Sequence, residues 1–308
     1  RAPEGQAVSL TLISGLLKRP RDAILRLSKT IAAPGSETMP ATIEIENKNR
    51  ICHIRLNRVK QMNSLSFELM DELSAALREA DADDAIRVVV LGHNGAHFGA
   101  GYDLKDDWAG RFDLDTAIGA RTMLRACLDF EFGPWDCSKP VIAMVRGYCL
   151  AGSCELAMMC CVTFASETAM FGEPEIRHST SPPVVVMPWL IGLKKARELL
   201  YTGELIDAPE AHRLGMVNHV VADDELEAAT LKYARRAAQI SLVGLQTTKA
   251  SINRGAEIAG FRAAVDYGVE TGAILDATPT EAHTKFLELA QKDGLKAAVR
   301  WRESQFED

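Results

Sequence analysis

The sequence predicts an α/β fold. Short β-type runs alternate with amphipathic helical patterns up to about Pro188, two of those runs are continuously apolar, and nearly everything beyond reads as helix. Residues 42–46 and 50–56 are β-type runs, and Asn47-Lys48-Asn49 between them reads as a hairpin turn. Ser66 is placed to cap a helix that carries Leu69, Met70, Leu73 and Leu77 at helical spacing. Residues 88–91 and 141–145 are unbroken apolar runs, as expected of strands covered on both faces, and 162–165 is a third strand. Helical patterns follow at 194–203, 208–214, 224–240, 243–256, 259–275 and 280–290. The expected organisation is an extension over 1–40, an α/β core over 41–235 and a helical C-terminal region over 236–308.

Composition excludes several classes. The 308 residues are 47% hydrophobic and 25% charged, ordinary for a globular protein. A net charge of −7 disfavours a nucleic-acid surface, which needs clustered Lys and Arg, although a local basic pocket for a phosphorylated small molecule remains compatible. No apolar run approaches the ~20 residues needed to span a bilayer, so no integral membrane association is expected. Seven cysteines, an odd count set in apolar runs without paired CxxC motifs, suit a reducing compartment and inert buried thiols rather than a metal site. A cytoplasmic location is therefore expected. The stretch 8–31 mixes Leu and Ile with Lys18, Arg19, Arg21, Arg26 and Lys29, and Pro20 interrupts it. Read as an organelle leader, it would place the protein in the mitochondrial matrix; it reads equally as a membrane-surface helix or an added extension.

Two glycine-bearing turns each follow an apolar strand. The first runs from His97 to Lys105 (HFGAGYDLK) and the second from Arg146 to Glu155 (RGYCLAGSCE). Glycine lets backbone approach a ligand closely, and a turn entering a helix presents free N–H groups. Two such turns can each aim one N–H at a single carbonyl oxygen, forming an oxyanion hole for an enolate made from a thioester. Either turn alone also reads as a tight strand-to-helix connection.

Glu155 stands at the start of an unrelieved apolar helix, which is costly for a carboxylate unless it is paired, functional or favoured by the helix dipole. Glu175 follows in Phe171-Gly-Glu-Pro-Glu175, with Glu173 beside it as a decoy. Alone, Glu175 would read as a surface carboxylate. Two glutamates in one dry site would perturb each other's protonation, as acid/base work near neutral pH requires.

The string from Gly147 to Cys160 (GYCLAGSCELAMMC) closely resembles the central signature of the enoyl-CoA hydratase/isomerase (crotonase) superfamily. The segment 171–175 resembles its second glutamate segment, and 97–105 its earlier oxyanion-hole turn. The resemblance spans about 41–300. It implies a crotonase-like fold, a β-β-α superhelix with a helical C-terminal trimerisation region. It also implies that the amides of Tyr102 and Gly152 hold the thioester oxygen. Glu155 and Glu175 would act as the acid/base pair, and Ala100, Tyr102, Asp103, Leu104 and Lys105 would contact substrate and CoA. No metal or redox cofactor is implied, since coenzyme A belongs to the substrate. The expected partners are an acyl-CoA and further copies of the chain, as a homotrimer or homohexamer.

Keeping both glutamates favours hydration of a 2-enoyl-CoA. Other crotonase reactions, such as thioester hydrolysis, isomerisation or C–C cleavage, are alternatives, as is a non-catalytic acyl-CoA- or RNA-binding protein. One departure stands out. After Glu175, a glycine-rich run of the family is replaced by residues 179–189 (STSPPVVVMPW), at the border of the acyl pocket. His178, close to Glu175, reads as a surface or packed histidine.

Overall fold

A computed structural model describes residues 41–180 and 182–306; the expectation for 1–40 lies outside the described residues. The described chain starts with a hairpin in which β1 (Ile43–Lys48) pairs antiparallel with β2 (Ile51–Leu56). The turn is shorter and later than the sequence predicts. The strand continues through Asn47 and Lys48, and Asn49 and Arg50 both adopt left-handed backbone, with φ of 54° and 66°. Two consecutive left-handed residues match the twist of paired strands, so the hairpin closes on two residues rather than three.

β3 (Val88–His93), β4 (Val141–Val145), β6 (Val162–Ser166) and β9 (His219–Val221) add in parallel, giving a six-stranded sheet in the order β1-β2-β3-β4-β6-β9. A smaller sheet holds β5 (Tyr148–Leu150), β7 (Met170–Gly172) and β8 (Ile206–Asp207). The chain passes repeatedly from one sheet to the other, which is the expected superhelix.

Among the described residues, ten helices surround these sheets, besides a few single turns. They are α1 (Phe67–Ala82), α2 (Ala117–Glu131), α3 (Gly152–Met158), α4 (Leu193–Thr202), α5 (Ala208–Leu214), α6 (Leu226–Ala237), α7 (Leu242–Ile258), α8 (Phe261–Asp276), α9 (Glu281–Asp293) and α10 (Leu295–Glu303). The predicted Ser66 cap forms, its side chain accepting from the Leu69 amide at 3.3 Å.

The pleat explains why β3 and β4 are apolar throughout. Val89, Leu91, Val141, Ala143 and Val145 enter the main core with α1 and α2, whereas Val88, Val90, Ile142 and Met144 face the layer containing Leu226 and Ala234 of α6. Helix α8 packs against α2, where Arg121 meets Glu270 at 2.7 Å and Arg125 meets Asp266 at 2.5 Å. These ion pairs are largely exposed and add little. The buried Phe261, Val265 and Val269 of α8, within the main core, contribute the larger stabilisation, about 1.5–3 kcal/mol per fully buried side chain.

Candidate active site

Both glycine-bearing turns lie at the carboxyl ends of parallel strands. The first runs beside β5: Phe98, Gly99 and Leu150 amides donate to Arg146, Tyr148 and Gly99 carbonyls at 2.9, 3.0 and 3.0 Å. The Gly101 amide donates to Ser153 Oγ at 3.1 Å, joining the first turn to the second. Glycine is required at position 101, where φ is +87° and a Cβ would stand 2.5 Å from that of Ala151.

The second turn holds strain at Ala151, with φ 55° and ψ −138° immediately before α3. A non-glycine residue rarely adopts this backbone, and here it orients the peptide leading into Gly152. Among the described residues, neither the Tyr102 nor the Gly152 amide has a hydrogen-bond acceptor. Gly152 is buried and Tyr102 half-buried; buried backbone donors are rarely left so, and these are the two amides that the sequence singles out. The Tyr102 ring lies against Gly152: a Cβ there would come within 2.4 Å of Tyr102 Cε2 and 2.9 Å of Glu131 Oε1.

Four carboxyls gather beside these amides. Glu155 is fully buried; its Oε1 accepts from the Val184 amide at 2.6 Å and its Oε2 has no donor. Burial raises its carboxyl well above the usual range, and the neighbouring charges of Glu131, Glu173 and Glu175 raise it further. Glu175 lies in the single-turn segment Pro174–His178, with both carboxyl oxygens buried and without donors. Burial pushes it from its ordinary 4.5 up to about 8, although its own backbone amide and the Arg302 guanidinium pull it down. Glu173 is no surface decoy. It is 2% exposed, with both oxygens lacking donors, and burial also raises its carboxyl. Among the described residues, no three acidic, His or Cys side chains converge as metal ligands.

The altered loop contributes to the site. Val184, Val186 and Met187 are buried, the Val184 amide anchors Glu155, and Trp189 packs edge-on against Phe261 of α8 at 5.4 Å. Apolar side chains seated on α8 thus replace glycines. His178 is a packed histidine: its ring meets Phe286 edge-on at 4.5 Å between centroids, and burial pushes it down to about 3, which favours the neutral ring.

Of the remaining expected residues, Ala100 donates to the Met62 carbonyl, and Asp103 braces its own turn by pairing with Arg58 at 2.7 Å and accepting from the Lys105 amide at 3.0 Å. Leu104 and Lys105 are exposed at the rim. Sequence reading singled out neither Glu131 nor the part played by Arg302. Glu131 had a legible signal, because it extends the buried helical stripe of Leu124, Cys127 and Leu128. Arg302 is buried in α10, bonded to Glu303 at 2.6 Å through Nη2, with Nε and Nη1 lacking acceptors.

The raised Glu175 carboxyl has a consequence for stability. The folded state keeps a proton that the unfolded chain releases near 4.5, so stability falls as pH rises from there to about 8 and levels off above. Glu175→Gln, neutral at every pH, should therefore gain in Tm over the parent between about pH 5 and about pH 9. A constant Tm difference would contradict the raised carboxyl.

A spiral of sheet-crossing units with two unclaimed amides beside buried carboxyls is the architecture of the crotonase-like enzymes. The chain belongs to the enoyl-CoA hydratase/isomerase family, whose profile matches residues 12–293. It is 39% identical over 224 residues to a probable enoyl-CoA hydratase of Rhizobium meliloti, covering 70% of this chain and 83% of that protein. Identity to a probable enoyl-CoA hydratase of Mycobacterium bovis is 34% over 272 residues, covering 86% and 97%. A solved enoyl-CoA hydratase/isomerase from Xanthobacter autotrophicus Py2 is 36% identical, with a TM-score of 0.83 across 88% of this chain and 100% of that one.

Proposed function

We propose that this chain is an enoyl-CoA hydratase, with Glu175 as base and Glu155 as acid. The observation that carries the assignment is the contrast between the two carboxyls: three neighbouring carboxyls crowd Glu155, whereas a buried arginine faces Glu175. Such a contrast separates acid from base at one pH. The thioester oxygen of a 2-enoyl-CoA accepts from the Tyr102 and Gly152 amides. Ionised Glu175 takes a proton from water as the hydroxide oxygen bonds to C3. The resulting enolate is held by the two amides until protonated Glu155 delivers its proton to C2. Proton return from Glu175 to Glu155 resets the pair. Water addition involves no net oxidation, so the chemistry calls for no redox cofactor, and the CoA is part of the substrate.

Ultraviolet absorbance of crotonyl-CoA tests this reading. The conjugated absorbance should be lost, mass spectrometry should find the 3-hydroxyacyl thioester, and kcat/KM should climb towards about pH 8 as Glu175 ionises. Release of free CoA would favour hydrolysis instead, and tight binding without turnover a binding module.

Self-association as a trimer or hexamer is part of the proposal, supported by exposed Ile252, Ile258, Tyr267 and Ile274 on α7 and α8. A cytoplasmic or other reducing compartment fits the seven free cysteines, five of them buried. Among the described residues, no helix is long and apolar enough to cross a membrane.

A further inference from the structure

Tyr102 and Gly152 carry the two unclaimed amides, and they belong to different elements, the first turn and the start of α3. An oxyanion hole needs both N–H groups aimed at one point, so the distance between these elements has to be fixed. Backbone does part of this. The Leu65 amide donates to the Gly101 carbonyl at 2.8 Å, and the Asp103 amide donates to the Leu65 carbonyl at 3.0 Å. Leu65 thus bridges in parallel to Tyr102 through the groups on either side of it, and the Tyr102 N–H points away from that bridge.

The Tyr102 side chain does the rest. Its ring reaches Gly152, where a Cβ would meet Tyr102 Cε2 at 2.4 Å and Cδ2 at 2.9 Å. The ring of the residue bearing the first amide therefore rests on the α-carbon of the residue bearing the second, a seat open only beside a glycine. Trp108 packs edge-on against the ring at 5.5 Å, and its indole N–H is tied back to the Asp103 carbonyl at 2.8 Å. The Tyr102 hydroxyl donates to Glu131 Oε1 at 2.5 Å, and that same oxygen would stand 2.9 Å from a Cβ on Gly152. Burial raises the phenol well above its ordinary 10, so it keeps its proton and remains the donor. Glu131 is wholly buried at the end of α2, so a third element fixes the far end of this contact. A carboxyl there gives up water and gains nothing from the helix dipole, and the contact with Tyr102 is what it receives in exchange.

We propose that Glu131 and the Tyr102 side chain form a strut that sets the spacing of the two oxyanion amides, Glu131 being a positioning residue that acts through the Tyr102 hydroxyl. The strut rests on the assignment of these amides to the thioester oxygen given above, and not on the hydration step. Without the hydroxyl contact the ring is free to leave Gly152 and the Tyr102 peptide is free to turn. What is lost is preorganisation, so an enolate suffers more than a ground-state thioester.

Acetoacetyl-CoA tests this on the full chain without turnover. Amides that stabilise an oxyanion raise the fraction of this ligand bound as its enolate, which absorbs in the near ultraviolet. Tyr102→Phe removes one oxygen atom and keeps both the ring and the backbone N–H. It should cut the enolate-to-ketone ratio of the bound ligand by about tenfold or more. KM for crotonyl-CoA should stay within about threefold of the parent while kcat falls. Glu131→Leu should match Tyr102→Phe, and the double variant should lose no more than either single one. Glu131→Gln, which keeps an acceptor for the hydroxyl, should recover most of the band lost in Glu131→Leu. A parental ratio in Tyr102→Phe, or losses that multiply in the double variant, would overturn the strut. If Glu131→Leu does not fold, Tyr102→Phe decides alone. Failure of the underlying reading looks different. A parent that binds acetoacetyl-CoA without an enolate band has no oxyanion hole, and the strut falls with it. A parent that shows the band but hydrates no enoyl-CoA fails only as a hydratase, and the variants still decide the strut.

Discussion

Replacing Glu155 with glutamine should lower kcat by about 10²–10⁴ while leaving the fold intact. Glutamine keeps the shape and an acceptor for the Val184 amide, and it removes only the transferable proton. The fold should tolerate the change, because burial raises this carboxyl and so favours its neutral form. Glu175→Gln should produce a loss of similar size by removing the base toward water. Steady-state kinetics on the best enoyl-CoA substrate checks both variants. Near-parental turnover in either one would show that the reaction does not use two glutamates.

Gly152→Pro should lower turnover by at least the cost of one oxyanion donor, since it deletes one of the two unclaimed amides. Removing a single oxyanion donor costs about 10²–10³ in kcat, some 2.7–4 kcal/mol. Steric effects need a control, because any Cβ at this position meets the Tyr102 ring within 2.4 Å. Tyr102→Ala supplies it, keeping its own backbone N–H while clearing the ring. In that background Gly152→Ala should retain far more activity than Gly152→Pro. Equal activity in the two double variants would remove Gly152 from the oxyanion hole.

The parts of this site that were legible in the sequence are those fixed by short local strings. Glu155 and the Gly152 amide come from one turn entering one helix, and the apolar runs of β3 and β4 announced strands buried on both faces. The remainder depends on tertiary contacts that no local pattern encodes. β5, β7 and β8 are only two or three residues long, too short for a period-two pattern. Glu173 sits two residues from Glu175 and looked like a solvated neighbour, yet the fold buries the carboxyl oxygens of both. Glu131 ends its helix, where an acidic residue ordinarily meets water, and only the docking of the first turn brings Tyr102 onto it. The loop 179–189 read as a change in the acyl border. Its buried valines in addition place a backbone donor on Glu155, so the substitution bears on the acid as well as on the pocket.

Arg302 shows how far apart in sequence the determinants lie. It comes from α10, and its charge is the main side-chain influence drawing Glu175 down toward physiological pH. The pH range of the proposed base therefore depends on the last helix docking correctly.

A crystal structure with a 3-ketoacyl-CoA bound, a stable thioester resembling the enolate, examines the central claim at atomic level. The thioester oxygen should lie about 2.7–3.1 Å from both the Tyr102 and Gly152 nitrogens, with the Glu155 and Glu175 carboxyls flanking C2 and C3. A thioester oxygen bound away from those nitrogens, or carboxyls remote from C2 and C3, would contradict the account.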